Sequence, residues 1–124
     1  MIKLIVFAVV TVVIIKYLFP AIQVVGDSMY PTYKDGEVIF GTRLYRKSKL
    51  KVGDVILYHS PDEEGKVVIK RIATIDTFGK NNKRLAFYCL GDNSECSHDS
   101  RYYGFVNSKR IVCKVINQRT KEEQ

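Results

Sequence analysis

The chain has few of the residues that usually bind metals or support histidine-dependent catalysis. Among its 124 residues there are three cysteines and two histidines. The odd number of cysteines gives no complete disulfide framework, although one bridge remains possible. Because no C-x-x-C pair is present, zinc bound by Cys89, Cys96 and His98 is disfavoured. The sequence therefore predicts no metal site and no cofactor, and the cysteines do not identify the redox compartment.

Acidic residues are also in the minority. There are 13 acidic residues against 20 basic ones, which gives a formal net charge of +7. Such a balance favours anionic partners, either a lipid surface or a nucleic acid. The most basic stretch, RLYRKSKLK at residues 43–51, contains a single aromatic residue, Tyr45. Without further aromatic interleaving a nucleic-acid groove is disfavoured, and a solvated loop fits better.

One long apolar segment lies at the N-terminus. Residues 4–15 read LIVFAVVTVVII, in which Thr11 is the only polar residue. A helix over residues 2–19 would rise about 27 Å, close to the roughly 30 Å of a bilayer core, and Pro20 would end it. The bulky residues that follow disfavour signal cleavage, and the missing polar stripe disfavours a buried core helix. We therefore expect residues 1–20 to form a single-pass anchor in the plasma membrane, with the N-terminus cytoplasmic and the remaining domain outside.

The rest of the chain has the pattern of β structure. No long 3.6-residue period follows the N-terminal segment, whereas several short runs are rich in β-branched and aromatic residues. Turn-forming stretches separate these runs. The sequence predicts a mostly β, compact, antiparallel domain over residues 21–118, after the anchor at 1–20 and before a polar tail at 119–124. The predicted core strands are residues 37–40, 54–59, 66–75, 85–90 and 110–116.

The heptapeptide GDSMYPT at residues 26–32 places Ser28 in a restrained turn. It follows a short predicted strand, AIQVV, and Gly26 allows an unusual φ. Pro31 restricts the conformation of Tyr30. A rigid serine at the end of a strand suits a nucleophile, because the N–H groups of the turn can face a developing oxyanion. An ordinary glycine-containing turn fits the same seven residues.

The two histidines are poorly placed to serve as the base for Ser28. A histidine triad needs a separate carboxylate to orient the ring. His98 is the sequence neighbour of Asp99, which is therefore badly placed for that role. His59 ends a predicted strand with no obvious acid beside it.

Lys70 is the alternative base. It lies in the apolar run KVVIKRIATI, where strand alternation puts it on one face with Val68 and Ile72. Apolar burial would have to lower its pKa from about 10.4 by roughly 2 to 3 units, or about 3 to 4 kcal/mol, for it to act near neutral pH. An edge-strand lysine that discourages aggregation fits the pattern as well.

Four sequence boxes occur in an order that resembles the type I signal peptidases, the membrane-bound serine–lysine peptidases. They are GDSMYPT, the GD of KVGDVILY, VIKRIA and GDNSECSHDSRYYG, and the similarity extends from about residue 24 to 116. It is greatest to the small single-anchor form of Gram-positive bacteria. The resemblance implies a compact β domain of the signal-peptidase/LexA type on one transmembrane helix.

The resemblance also implies roles for individual residues. Ser28 would be the nucleophile, and Lys70 the general base and later the general acid. The oxyanion would be bound by the Ser28 N–H and by a backbone or Cα–H group of Gly26, which stands where some members have a side-chain hydroxyl. Ser97 would hydrogen-bond to the lysine and orient it. The other supporting residues would be Asp92 and its expected partner Arg71, together with Asp99 and Arg101.

The activity implied is the removal of N-terminal signal peptides from exported preproteins at the outer face of the membrane, without a cofactor. The partners would be preproteins and membrane lipid, and not nucleic acid. Ser94 replaces an arginine found in many members, and IATIDTFGK replaces their PGD turn, which leaves substrate preference open.

Three other functions fit parts of the sequence. A specialised peptidase that matures a pilin or conjugation protein would share every box. A LexA-type self-cleaving peptidase would share the serine and lysine, but it lacks the GDN…S-DSR box and is soluble. A non-catalytic, membrane-anchored β module could bind anionic polymer through residues 43–51, and it would not need Ser28 or Lys70.

Overall fold

A single antiparallel sheet is the main structural element of the fold. The computed structural model describes residues 1–121, so part of the predicted polar tail at 119–124 lies outside the described residues. The seven strands are ordered β1-β2-β7-β3-β4-β5-β6, and every neighbouring pair is antiparallel. The helices are α1 (Ile2–Leu18) and α2 (Ser100–Tyr103), and the strands are β1 (Ala21–Gln23), β2 (Val38–Thr42), β3 (Val55–His59), β4 (Val67–Phe78), β5 (Arg84–Leu90), β6 (Val106–Asn107) and β7 (Ile111–Val115). The predicted mostly β fold is confirmed.

Helix α1 is shorter than the anchor predicted from the sequence. It has 17 residues, from Ile2 to Leu18, and none of them is buried. At 1.5 Å per residue it is about 26 Å long. Within residues 1–121, no helix has the length and apolar character needed to cross a membrane. The helix expected within residues 1–20 is therefore present as an exposed apolar helix that ends two residues before Pro20, and the predicted transmembrane span is not supported.

The C-terminal end of α1 is fixed to the chain that follows β2. The Arg43 N–H donates to the Leu18 carbonyl (2.8 Å), and the Gly41 N–H donates to the Pro20 carbonyl (2.9 Å). The Arg43 guanidinium donates to the Tyr17 carbonyl and lies 4.5 Å from the centre of the Tyr17 ring. These bonds satisfy carbonyl groups that have no partner inside the helix. Arg43, the first residue of the basic stretch, therefore has a specific structural contact.

The strands lie close to where the apolar runs predicted them. The largest difference is β4, which continues to Phe78 because its hairpin with β5 remains paired up to Arg84. Strand β6 was not predicted, since two residues are too few to produce a period. It nevertheless pairs with β5 and forms one edge of the sheet.

Side chains from both faces of the central strands are buried. On β3 and β4, Leu57 and Ile69 belong to one apolar cluster, whereas Ile56 and Ile72 belong to another. A strand in such a position has no solvated face, so any polar side chain on it loses most of its hydration. The first cluster comprises Val24, Met29, Tyr33, Ile39, Val55, Leu57, Ile69, Cys113 and Val115, and the second Leu50, Ile56, Tyr58, Ile72, Phe87, Cys89 and Val106.

Candidate active site

Ser28 lies in a tight turn just beyond β1. The Tyr30 N–H donates to the Asp27 carbonyl (3.1 Å), which closes the turn around the serine. Gly26 enters the turn with φ +85°, a value that favours glycine. The Gly26 N–H donates to Asp35 Oδ1 at 2.8 Å, so this N–H is not free to bind an oxyanion.

Lys70 reaches Ser28 from strand β4. Its Nζ lies 2.8 Å from the Ser28 Oγ, and the lysine is only 4% exposed. Ile56 is its partner across β3, so the aliphatic stem runs beside the second apolar cluster. Burial lowers the pKa of Lys70 from 10.5 to about 8, against the opposing effect of the Asp99 carboxylate and with a smaller contribution from the like charge of Lys66. A substantial neutral fraction near pH 8 is what a general base requires.

Asp99 is the centre of a second polar group behind the lysine. The Ser97 hydroxyl donates to Asp99 Oδ2 (2.6 Å), as does the Gly91 N–H (3.0 Å). The Arg101 guanidinium donates to both carboxylate oxygens at 2.9 Å. Burial alone would raise the pKa of Asp99, but hydrogen bonds from Arg101, Ser97 and the Gly91 N–H lower it to about 2. The carboxylate is therefore ionised under all ordinary conditions.

The position of Ser97 differs in one respect from the sequence prediction. Ser97 was expected to hydrogen-bond to Lys70, but its hydroxyl is directed to Asp99. Among the described residues, the hydrogen bond of Lys70 is to Ser28 and none joins Lys70 to Ser97. The physical reason is that the Ser97 hydroxyl makes a stronger hydrogen bond to the ionised Asp99 carboxylate than it would make to the Lys70 amine. Ser97 thus lies between Asp99 and the Ser28 turn instead of contacting the lysine directly.

Arg71 and Asp92 form the pair expected from the sequence. The guanidinium donates two parallel bonds of 2.8 Å to the carboxylate, and a third, also of 2.8 Å, to the Gly53 carbonyl. The two side chains are 12% and 2% exposed, so this is a largely desolvated, bidentate ion pair. The Asp92 N–H in turn donates to the Met29 sulfur at 3.4 Å. The pair therefore links β4 to the loop that packs against the serine turn.

Two residues of that loop, Gly91 and Asn93, were not identified as site residues from the sequence. A Cβ at Gly91 would collide with the Ser97 Oγ and would lie 2.6 Å from the Ser28 carbonyl oxygen. Asn93 donates from its N–H to the Ser28 carbonyl (2.9 Å) and from its side chain to the Asp27 carbonyl (3.0 Å). Their only sequence signal is the GDN triplet, whose middle residue alone was given a role.

The histidines lie apart from the serine. His98 Nε2 is 2.5 Å from Asp62 Oδ2 on the exposed rim, where the ring stacks on Tyr102. His59 is exposed at the end of β3. Neither is hydrogen-bonded to Ser28 in the part of the chain that the structure describes.

Among residues 1–121 there is one group of side chains with metal-ligand character, and it differs from the set considered in the sequence. Asp62, Glu63 and His98 bring their ligand atoms within 4.8 Å of one another, and all three are exposed. The three cysteines are free thiols, Cys89 and Cys113 buried and Cys96 exposed.

A cleft of about 540 Å³ runs up to Ser28 and Lys70. Its walls come from the edge of β1 and the following residues on one side, and from the first part of β4 on the other. Its lining combines apolar side chains with charged or polar ones, among them Lys66 and His98.

The site brings a buried lysine to a serine in a turn, and comparison with known proteins identifies the family of the chain. The family described as signal peptidase, peptidase S26, matches residues 1–77, a range that contains both Ser28 and Lys70. The chain is 31% identical to the mitochondrial ATP-independent inner membrane protease subunit 1a of Arabidopsis thaliana, over 82% of this chain and 70% of the relative. It is 33% identical to the mitochondrial inner membrane protease subunit 1 of Schizosaccharomyces pombe, over 82% of this chain and 73% of the relative. The chain belongs to the signal peptidase family, peptidase S26.

Proposed function

We propose that this chain is a membrane-associated endopeptidase that removes N-terminal signal peptides from preproteins, with Ser28 as nucleophile and Lys70 as general base. The observation that carries the proposal is the 2.8 Å contact between the Lys70 Nζ and the Ser28 Oγ in a chain of this family. The lowered pKa of Lys70, about 8, supports the same assignment.

The reaction begins with the neutral form of Lys70. In that form the Nζ accepts a hydrogen bond from the Ser28 hydroxyl and takes its proton as the Oγ attacks the substrate carbonyl. The tetrahedral intermediate collapses when the Lys70 ammonium returns the proton to the leaving amine, which leaves the signal peptide as an ester on Ser28. Water, deprotonated by Lys70, then hydrolyses the ester and restores the free serine.

The oxyanion of the intermediate needs hydrogen-bond donors close to Ser28. Within residues 1–121, the Ser28 N–H has no hydrogen-bond partner, whereas the Gly26 N–H is bonded to Asp35. We therefore assign the oxyanion to the Ser28 N–H. Gly26 can then contribute only its Cα–H group to oxyanion binding, because its N–H is already bonded to Asp35.

The edge of β4 offers backbone groups to an extended substrate. Pairing with β5 begins at Arg71, so residues 67–70 have one open edge. The N–H and C=O of Ile72 are both bonded on the β3 side. Since backbone groups of alternate residues point to opposite edges, those of Val67 and Ile69 face the cleft.

The opposite wall of the cleft, formed by β1 and the residues that follow it, also offers backbone N–H and C=O groups to an extended substrate. The N–H and C=O of Val24 are both bonded on the β2 side, to Glu37 and Gly36. By the same alternation, the backbone groups of Gln23 and Val25 face the cleft. A substrate strand between the two walls would bond to both of them, which is a form of β-strand addition.

Membrane association is the part of the proposal that explains the apolar surface. Helix α1 exposes nearly all of its apolar side chains, and Val25, Val38 and Phe40, which lie just after β1 or on β2, are 82%, 58% and 56% exposed. Exposed apolar surface of this extent marks an interaction site. The two relatives named above are inner membrane proteins by their descriptions. We propose that α1 and this apolar surface hold the cleft beside a membrane, where preproteins emerge.

The test is cleavage of a preprotein whose signal ends in Ala-x-Ala, by the full chain in detergent. Mass spectrometry locates the new N-terminus, and Ser28→Ala is the negative control. A cut directly after the last alanine, absent from Ser28→Ala, supports the proposal. A folded parent that leaves this preprotein intact contradicts it, and a cut retained by Ser28→Ala refutes the nucleophile.

A further inference from the structure

The peptide group that precedes Ser28 is held from both sides. The Asp27 carbonyl accepts a hydrogen bond from the Tyr30 N–H within the turn (3.1 Å) and another from the Asn93 side-chain amide (3.0 Å). The Asn93 backbone N–H separately donates to the Ser28 carbonyl (2.9 Å). The side chain and the backbone of Asn93 therefore act on two different peptide groups of the serine turn.

The orientation of the Asp27 carbonyl determines the orientation of the Ser28 N–H. Both belong to the peptide bond between Asp27 and Ser28, and Tyr30–Pro31 is the only cis bond among the described residues. In a planar trans peptide the C=O and the N–H point in opposite directions. A donor that fixes the carbonyl on one side therefore fixes the N–H on the other.

The same hydrogen bond also makes the Ser28 N–H a stronger donor. Hydrogen bonds that share an amide polarise one another. The Ser28 N–H has no partner of its own in the described part of the chain. It is therefore available, oriented and polarised before any substrate binds.

We propose that Asn93 is a positioning residue of the oxyanion hole: its side-chain amide orients and polarises the peptide group whose N–H, that of Ser28, binds the oxyanion. This inference rests on the proposed peptidase function. The Asn93 side chain has no hydrogen bond to the Ser28 Oγ or to Lys70, so the side chain acts on the reaction only through the Asp27 carbonyl. The competing account is that the turn bond from Tyr30 already holds this carbonyl, in which case the Asn93 side chain is dispensable.

Asn93→Leu and Asn93→Asp separate the two accounts, since both keep the backbone bond to the Ser28 carbonyl. Leucine keeps a similar shape without a donor, and aspartate keeps the shape but puts a carboxylate against the Asp27 carbonyl. We expect kcat to fall about tenfold in Asn93→Leu, which corresponds to the loss of roughly one hydrogen bond. In Asn93→Asp kcat should fall further. In both variants KM should stay within about twofold of the parent. Ser94→Ala, an exposed neighbour on the same loop, is the matched control and should keep parental kinetics.

A tetrahedral analogue gives a readout that a purely structural role would not change. A peptide aldehyde that forms a hemiacetal with Ser28 presents an oxyanion, whereas an uncleavable peptide of the same sequence does not. In Asn93→Leu the affinity for the aldehyde should fall by the same factor as kcat, and the affinity for the plain peptide should stay. Parental kcat and aldehyde affinity in both variants would overturn the proposal, as would equal losses for the aldehyde and the plain peptide.

A measurement without turnover distinguishes failure of this inference from failure of the proposed function. In ¹H–¹⁵N spectra of the full chain in detergent, the Ser28 amide should shift in Asn93→Leu and remain in place in Ser94→Ala. A shifted amide in a chain that cleaves no preprotein would refute the peptidase function and keep the hydrogen-bond assignment. An unshifted amide in an active chain would refute the role of Asn93 alone.

Discussion

The pH dependence of cleavage follows directly from the surroundings of Lys70. Only the neutral amine can take a proton from Ser28, and burial lowers the pKa of this lysine from 10.5 to about 8. We expect kcat/KM to rise about tenfold per pH unit below that value and to level off above it. An unperturbed lysine would instead keep the rate rising to above pH 10.

The size of the effect follows from the two pKa values of Lys70. The shift from 10.5 to about 8 corresponds to about 3 kcal/mol at 1.36 kcal/mol per unit. At pH 7 about one lysine in ten is then neutral, compared with roughly one in 3,000 without the shift. Burial of Lys70 therefore supplies about 300 times more active base at neutral pH.

The assay is kcat/KM for a signal-peptide substrate from pH 6 to 10, with the full chain in detergent. Two variants, His98→Gln and Cys96→Ser, remove two other titratable side chains that line the cleft together with Ser28. Both should keep the midpoint near pH 8. A midpoint near 6.5 that disappears in His98→Gln would assign the base to histidine, and a midpoint above 10 would show that Lys70 is hydrated; either result refutes the reasoning.

Three further substitutions have defined outcomes. Gly91→Ala places a methyl group against the Ser97 hydroxyl, so thermal unfolding should show a loss of about 1 to 3 kcal/mol in the free energy of unfolding. Preprotein cleavage should fall with it, and parental values for both measurements would contradict the collision. Asp92→Asn leaves the Arg71 guanidinium without its carboxylate and should cost about 3 kcal/mol in urea unfolding, whereas an unchanged midpoint would mean that solvent screens the pair. Lys70→Met should raise the free energy of unfolding by about 2 kcal/mol at pH 7, because the folded parent must keep a buried ammonium at that pH. The gain should shrink between pH 8 and 10.5, where the parent lysine is neutral in the folded state and still charged in the unfolded state. A difference in unfolding free energy that does not change with pH would refute this linkage.

The sequence predicted the elements that depend on periodic apolar patterns. Strands β3, β5 and β7 lie within one residue of the predicted runs at each end, because buried strands must be apolar and the flanking turns polar. The pairing of Arg71 with Asp92 was also expected, but from the resemblance and not from the residues themselves.

Other features depend on contacts that no local pattern encodes. Ser97 was assigned to the lysine, yet the arrangement of the loop gives its hydroxyl to the nearby carboxylate of Asp99. The role of Asn93 depends on the direction of one carbonyl in a turn 66 residues away in sequence. The helix predicted over residues 2–19 ends at Leu18, where the chain after β2 contacts it through Arg43, a contact that the apolar run does not encode.

The central claim is that Lys70 is the base for Ser28, and single-turnover cleavage of a preprotein at pH 8 tests it most directly. The comparison needs the parent, Lys70→Met, His59→Gln and Lys109→Met, the last of which removes an exposed lysine as a matched control. The account predicts a loss of at least about a thousandfold in Lys70→Met and parental rates in the other two variants. Cleavage by folded Lys70→Met within about tenfold of the parent would contradict it, and the proton of Ser28 would then have another acceptor.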